Sequence, residues 1–126
     1  TMTALVTGAS SGIGRDIARK LGSMGVRLII TGRDRKSLED LRQEIGARRV
    51  KIITADISRR DECLRLYREA SAYGVDILVN NAGFGLYGKF SVTELDRELD
   101  MIDVNVGAVH ILTKLATRAI YSMLLP

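Results

Sequence analysis

The residues best placed to do chemistry lie near the N-terminus, in TGASSGIG from Thr7 to Gly14. That chemistry is anion binding. The stretch follows an apolar run, ALV, and opens a segment of helical periodicity, which is the setting a dinucleotide fingerprint requires. Gly8 permits a sharp turn. Gly12 lets backbone approach a pyrophosphate, and Gly14 lets the helix pack closely. The free N–H groups and dipole of the helix start then attract phosphate. The candidate cofactor contacts here are Gly8, Ser10, Ser11, Gly12, Ile13, Gly14 and Arg15. The competing reading is a glycine-rich turn without a ligand. A P-loop is excluded, because no Gly-Lys-Ser/Thr ending follows.

A second group selects the cofactor. An acidic residue at the tip of the second strand would accept from a ribose 2′-OH and favour NAD. Here that strand reads LIITGRD, so Gly32 and Arg33 occupy the tip and Asp34 comes two places late. The fork of donors on Arg33 suits a 2′-phosphate, with Arg15 as a second candidate. NADP is favoured over NAD. The plainer reading of either arginine is a solvated surface charge.

These residues need a scaffold, and the pattern supplies one. Residues 3–7, 27–31, 50–54 and 75–79 are short apolar runs, read as strands. Between them run helical periods. Ile13, Ile17, Leu21 and Met24 end at Gly25. Leu38, Leu41 and Ile45 follow a cap at Ser37 with Asp40, and end at Gly46. Leu64, Tyr67 and Ala70 follow a cap at Ser58 with Asp61. A loop, NNAGFGLYGKF, then leads to a long helix with Leu95, Leu99, Ile102, Val106 and Val109 at helical spacing, its pattern running to about Leu115. Alternating strands and helices imply α/β architecture: a Rossmann-like, doubly wound parallel sheet in three layers. Residues 1–126 read as a single dinucleotide-binding domain.

Composition narrows the classes. The chain has 126 residues, 46% of them hydrophobic, enough for a core. Its net charge of +4 is spread out, with no Trp and no basic stripe between aromatics, which argues against nucleic acid. One cysteine, Cys63, excludes a disulfide framework, and it reads as packing. His110 stands without a second metal-ligand candidate and reads as structural. No apolar run approaches the ~20 residues of a membrane span, and no signal-peptide pattern is present. A cytoplasmic protein is expected.

Four motifs in order, TGASSGIG (7–14), ADI (55–57), NNAG (80–83) and DVNV (103–106), resemble the short-chain dehydrogenase/reductase family, in its compact branch. The resemblance covers residues 3 to about 115. It implies an oxidoreductase that moves a hydride between a nicotinamide and a small-molecule alcohol or carbonyl. It places Asp56 and Ile57 at the adenine, and Asn80, Ala82 and Gly83 along the cofactor. Asn105 matches the asparagine that holds a water in the family's proton relay. A homo-oligomer is implied too, with the 95–117 helix as the contact.

The family's catalytic tyrosine stands four residues before a lysine, which lowers a phenol pKa that is otherwise about 10. None of the four tyrosines fits. Tyr67, Tyr73, Tyr87 and Tyr121 are followed at that spacing by Ser71, Ile77, Ser91 and Leu125. No fifth strand carries the family's serine. The chain therefore resembles the cofactor-binding front half of the fold, truncated or joined. A join is expected near 112–116, because the amphipathic tail KLATRAIYSMLLP (114–126) loosely resembles a C-terminal helix. Leu115, Ala119 or Ile120, Met123 and Leu124 would form its apolar side. The alternatives are a non-catalytic dinucleotide sensor or interaction module, and a remnant that folds only as a dimer. The fourth strand, VDILV, would stand at an apolar sheet edge.

Overall fold

The computed structural model describes residues 1–124, with side chains through residue 119. Ile120, Met123 and Leu124, expected on the apolar side of the tail, therefore have side chains outside the described residues, and Pro126 lies outside altogether. Four strands, β1 (Thr3–Thr7), β2 (Arg27–Thr31), β3 (Val50–Ile52) and β4 (Ile77–Val79), form one parallel sheet in the order β3-β2-β1-β4. Helices α1 (Gly12–Ser23) and α2 (Arg35–Ile45) cover one face. Helix α3 (Arg60–Ser71) packs on the other beside a long rod made of α4 (Leu95–Ile102), a π-helical segment (Asp103–Ala108) and α5 (Val109–Leu124). Residues 112–116 lie inside α5.

Alternation along the strands feeds two cores. Ala4, Val6, Leu28, Ile30 and Val50 meet Ala18, Leu38 and Leu41 on the first face. Leu5 and Ile29 meet Leu66, Tyr67, Ala70, Leu112 and Ala116 on the second. All five residues of β1 are buried, as a central parallel strand requires. A fully buried leucine such as Leu66 contributes about 1.5–3 kcal/mol.

Local details differ from the sequence expectations for physical reasons. The second helix is capped by Asp34 rather than Ser37: its carboxylate accepts from Ser37 N at 3.2 Å and from the Ser37 hydroxyl at 2.8 Å. Ser58 does not cap α3, which starts at Arg60; its hydroxyl donates to Asp56 instead, at 2.7 Å. On α1 the buried residues are Gly14, Ala18 and Gly22, with Leu21 partly buried against the same core, while Ile13 and Met24 beyond its end are exposed. A Cβ on Gly14 would meet Gly8 O and the Asn81 amide, and one on Gly22 would meet Ile45 of α2. On α3, Cys63 and Leu66 point inward and Leu64 outward.

The long helix carries more apolar surface than its helical spacing alone reveals. Leu95, Leu99, Ile102 and Val106 are exposed, and α4 has no buried residue. The inward stripe is Val104, Ala108, Leu112 and Ala116, four residues apart. The rod carries two apolar stripes, and the one read from the sequence faces away from the sheet.

At the sheet edge, β4 is shorter than the predicted 75–79. Asp76 closes the pairing with its side chain: Thr3 N donates to Asp76 Oδ2 at 2.9 Å, and Asp76 N donates to Thr3 O at 2.9 Å.

Candidate functional site

The C-terminal ends of all four strands open into one cavity of about 460 Å³. It lies where the strand order reverses around β1, the place where open α/β sheets bind ligands. Four segments line it. The first loop gives Gly8, Ser10, Ser11 and Ile13. The tip of β2 gives Thr31 to Asp34. The segment after β3 gives Ala55, Asp56 and Ile57. The segment after β4 gives Asn81 to Phe84, with Val104 from the rod behind it.

The first and last of these segments interlock. Thr7 Oγ1 accepts from Asn81 N and from Ala82 N, both at 3.0 Å, and donates to Val79 O at 3.4 Å. Asn81 Nδ2 donates to Gly8 O at 3.3 Å. Gly8 adopts φ 65°, and a Cβ there would stand 2.8 Å from Ala82 Cα. A Cβ on Gly14 would collide with Gly8 O and with the Asn81 amide. Gly12, at φ 58°, has open space around the position of a Cβ, and its backbone is exposed at the start of α1, beside the cavity-lining Ser11 and Ile13.

The charged residues divide into engaged and available. Asp34 is held by Ser37, whose hydrogen bonds keep its carboxyl below the usual range. Arg33 is exposed on the cavity rim, and no carboxylate lies within ion-pair distance among the described residues. Asp56 Oδ1 accepts from Ser58 N at 3.2 Å and from its hydroxyl.

Some candidates stand elsewhere. Gly12, Gly14, Arg15, Asn80 and Asn105 do not line the cavity. Arg15 is half-buried on α1, and its charge helps to lower the Glu44 carboxyl after the stronger hydrogen bond from Arg19. Asn80 Nδ2 donates to Thr113 Oγ1 at 3.0 Å, tying the end of β4 to α5. Asn105 clamps the loop: its Oδ1 accepts from Phe84 N at 3.0 Å and its Nδ2 donates to Phe84 O at 2.8 Å.

Comparison with known proteins agrees with this geometry. The family model described as short chain dehydrogenase matches residues 2–123. The chain belongs to the short-chain dehydrogenase family. Nodulation protein G of Rhizobium sp. (strain N33) is 45% identical over 116 residues, covering 88% of this chain and 46% of the relative. A metagenomic short-chain oxidoreductase solved in complex with NADP superposes with a TM-score of 0.90 at 35% identity, over 97% of this chain and 57% of that one. A short-chain dehydrogenase from Sphingobium yanoikuyae, in complex with NADPH, gives 0.87 at 28% identity, over 97% and 50%. The chain thus spans about half the length of the relatives it matches.

In this short-chain dehydrogenase chain, sequence reasoning missed Asn81 and Thr7. Both could be found by noting that β1 and β4 are neighbours, so that residues following each must meet. Cys63 is a packing residue: burial, then nearby carboxylates, push its thiol up to about 11, and Sγ donates to Ile57 O at 3.4 Å. His110 lies exposed on α5. Tyr87 is exposed at the loop tip near Lys89, without the four-residue spacing. Among the described residues no cluster of His, Cys, Asp or Glu could hold a metal, and no helix is long and apolar enough to cross a membrane.

Proposed function

We propose that residues 1–126 form the dinucleotide-binding domain of an NADP-dependent oxidoreductase acting on an alcohol or carbonyl. The observation that carries this reading is the state of the β2 tip. Asp34, the one carboxylate there, is occupied as a helix cap, while Arg33 stands unpaired on the cavity rim. A ribose 2′-OH would have to share a carboxylate already holding two hydrogen bonds, whereas a 2′-phosphate would meet an unpaired guanidinium. The solved relatives that hold NADP and NADPH support the same choice.

The residues fit such a cofactor. Gly8 and Gly12 leave backbone bare beside the start of α1, where phosphate is attracted. Asp56 and Ile57 would receive the adenine, and Ala82, Gly83 and Phe84 the opposite end. Bound there, the nicotinamide would supply or accept the hydride. Asn105 fixes the Phe84 backbone and so shapes that end of the cavity.

These 126 residues hold no Tyr-x-x-x-Lys, so hydride turnover is proposed only for a protein that adds such a pair to this domain. A second reading, a domain that binds dinucleotide without catalysis, is favoured by that same feature. We also propose a homo-oligomer in contact through the exposed Leu95, Leu99, Ile102 and Val106 stripe. A cytoplasmic setting accords with the single, buried cysteine.

Titration with NADPH and NADH, followed by fluorescence, tests the reading. Wild type should bind NADPH more tightly. Arg33→Asp should weaken NADPH about tenfold and change NADH little. Equal losses would overturn the phosphate clamp, and no binding of either by wild type would overturn the cofactor reading.

A further inference from the structure

The wall of the cavity formed by residues 54–58 contains little regular structure. The strand before it ends at Ile52, and α3 begins only at Arg60. Something must hold this wall at a fixed height, because Ala55, Asp56 and Ile57 all face the cavity. Within the wall, the Asp56–Ser58 turn is purely local. Ties to the rest of the fold come from behind, from the first two turns of α3: Cys63 Sγ donates to Ile57 O at 3.4 Å, and charged side chains hold Thr54 and Asp56.

Arg65 is at the centre of it. Its Nη2 donates to Thr54 O at 2.7 Å and to Glu62 Oε1 at 2.9 Å. Its Nε donates to Glu62 Oε2 at 2.7 Å, and its Nη1 donates to Glu69 at 3.1 Å. Glu62 Oε1 in turn accepts from Asp56 N at 3.4 Å. The wall is therefore gripped at Thr54 and at Asp56 by one ion pair. Both partners are partly shielded, with side chains 32% and 26% exposed. These hydrogen bonds, those from Arg65 first, pull the Glu62 carboxyl down to about 2, so it stays ionised. A small cleft of about 240 Å³, lined by Glu62, Arg65, Thr54, Asp56 and Arg33, separates this pair from the rim of the main cavity.

Resting on the cofactor reading above, we propose that Glu62 and Arg65 are positioning residues for the adenine end of the dinucleotide. They set the height of the Thr54–Asp56 backbone and touch no ligand themselves. Their contribution differs in kind from that of Arg33. Arg33 discriminates between ligands with and without a 2′-phosphate, whereas the pair acts on every adenine ligand alike.

The test uses 5′-AMP and 2′,5′-ADP as probes, with Kd read by NMR titration of the full chain. Arg65→Gln should weaken both probes by a common factor of about ten. Glu62→Gln keeps one acceptor oxygen and should fall between wild type and Arg65→Gln, and it serves if Arg65→Gln fails to fold. Arg65→Lys keeps the charge but not the fork, and should fail to restore binding. In the unliganded variants the amide signals of Ala55, Asp56 and Ile57 should shift while those of Gly8 and Ala82 hold. Unchanged Kd values in variants of a wild type that binds both probes would overturn the positioning role alone. So would full rescue by lysine, or shifts spread evenly around the cavity. Absence of probe binding by wild type would remove the cofactor reading itself.

Discussion

Two regions of this chain differ in composition, and each packs in the way opposite to what its composition suggests. Where β1 meets β4, Thr7, Gly8, Gly14, Asn81 and Ala82 are interlocked, with the Thr7 hydroxyl in three hydrogen bonds and no room for an added Cβ at Gly8 or Gly14. Some residues further on, Tyr87, Phe90, Val92, Leu95 and Leu99 stand exposed, and α4 buries nothing. The first region consists largely of small and polar residues, yet it is the rigid one. The second is apolar, yet no part of the described fold lies over it. Rigidity here follows from how completely groups are paired and packed, and hydrophobicity alone does not report it.

The contrast can be broken by substitution. Gly14→Ala should have the largest effect, because the added methyl meets backbone on one side and an engaged amide on the other. A loss of about 3 kcal/mol in urea unfolding is expected, and a loss near zero would mean that the two loops are not in contact. Thr7→Val keeps the shape and removes the acceptor for two N–H groups, and should cost about 2 kcal/mol by the same measurement. If it costs nothing, water replaces the hydroxyl and the interlock is looser than described. Leu99→Ser should lie within about 0.5 kcal/mol of wild type at low protein concentration. A loss comparable to that of Thr7→Val would place Leu99 in a core and erase the contrast.

The same contrast explains what could be read from the sequence. Parallel pairing and a phosphate-binding loop at the end of the first strand follow from the alternation of elements and from the glycines, and these were legible; the edge place of the fourth strand came with the family resemblance. Faces of helices were less so. On α1 only part of the apolar pattern turns inward: Leu21 packs on the core, Ile13 forms part of the cavity lining, and the most buried positions are glycine and alanine. On the long rod, two stripes four residues apart compete, and only the position of α3 decides between them. Caps shifted for a simple reason: Asp34 and Ser37 are spaced so that either can start a helix, and the carboxylate, with two acceptor oxygens, takes both donors of Ser37. Asn81 escaped notice because its role depends on a strand partner more than seventy positions earlier.

That distance in sequence bears on how the protein assembles. Thr7 leaves the hydroxyl at the end of the central strand, and its three partners arrive only when residues 79–82 dock beside it. Without them the floor of the cavity does not exist. The docking of β4 and the completion of the cavity are therefore the same structural event, and any ligand that binds the finished cavity stabilises the state in which β4 is docked.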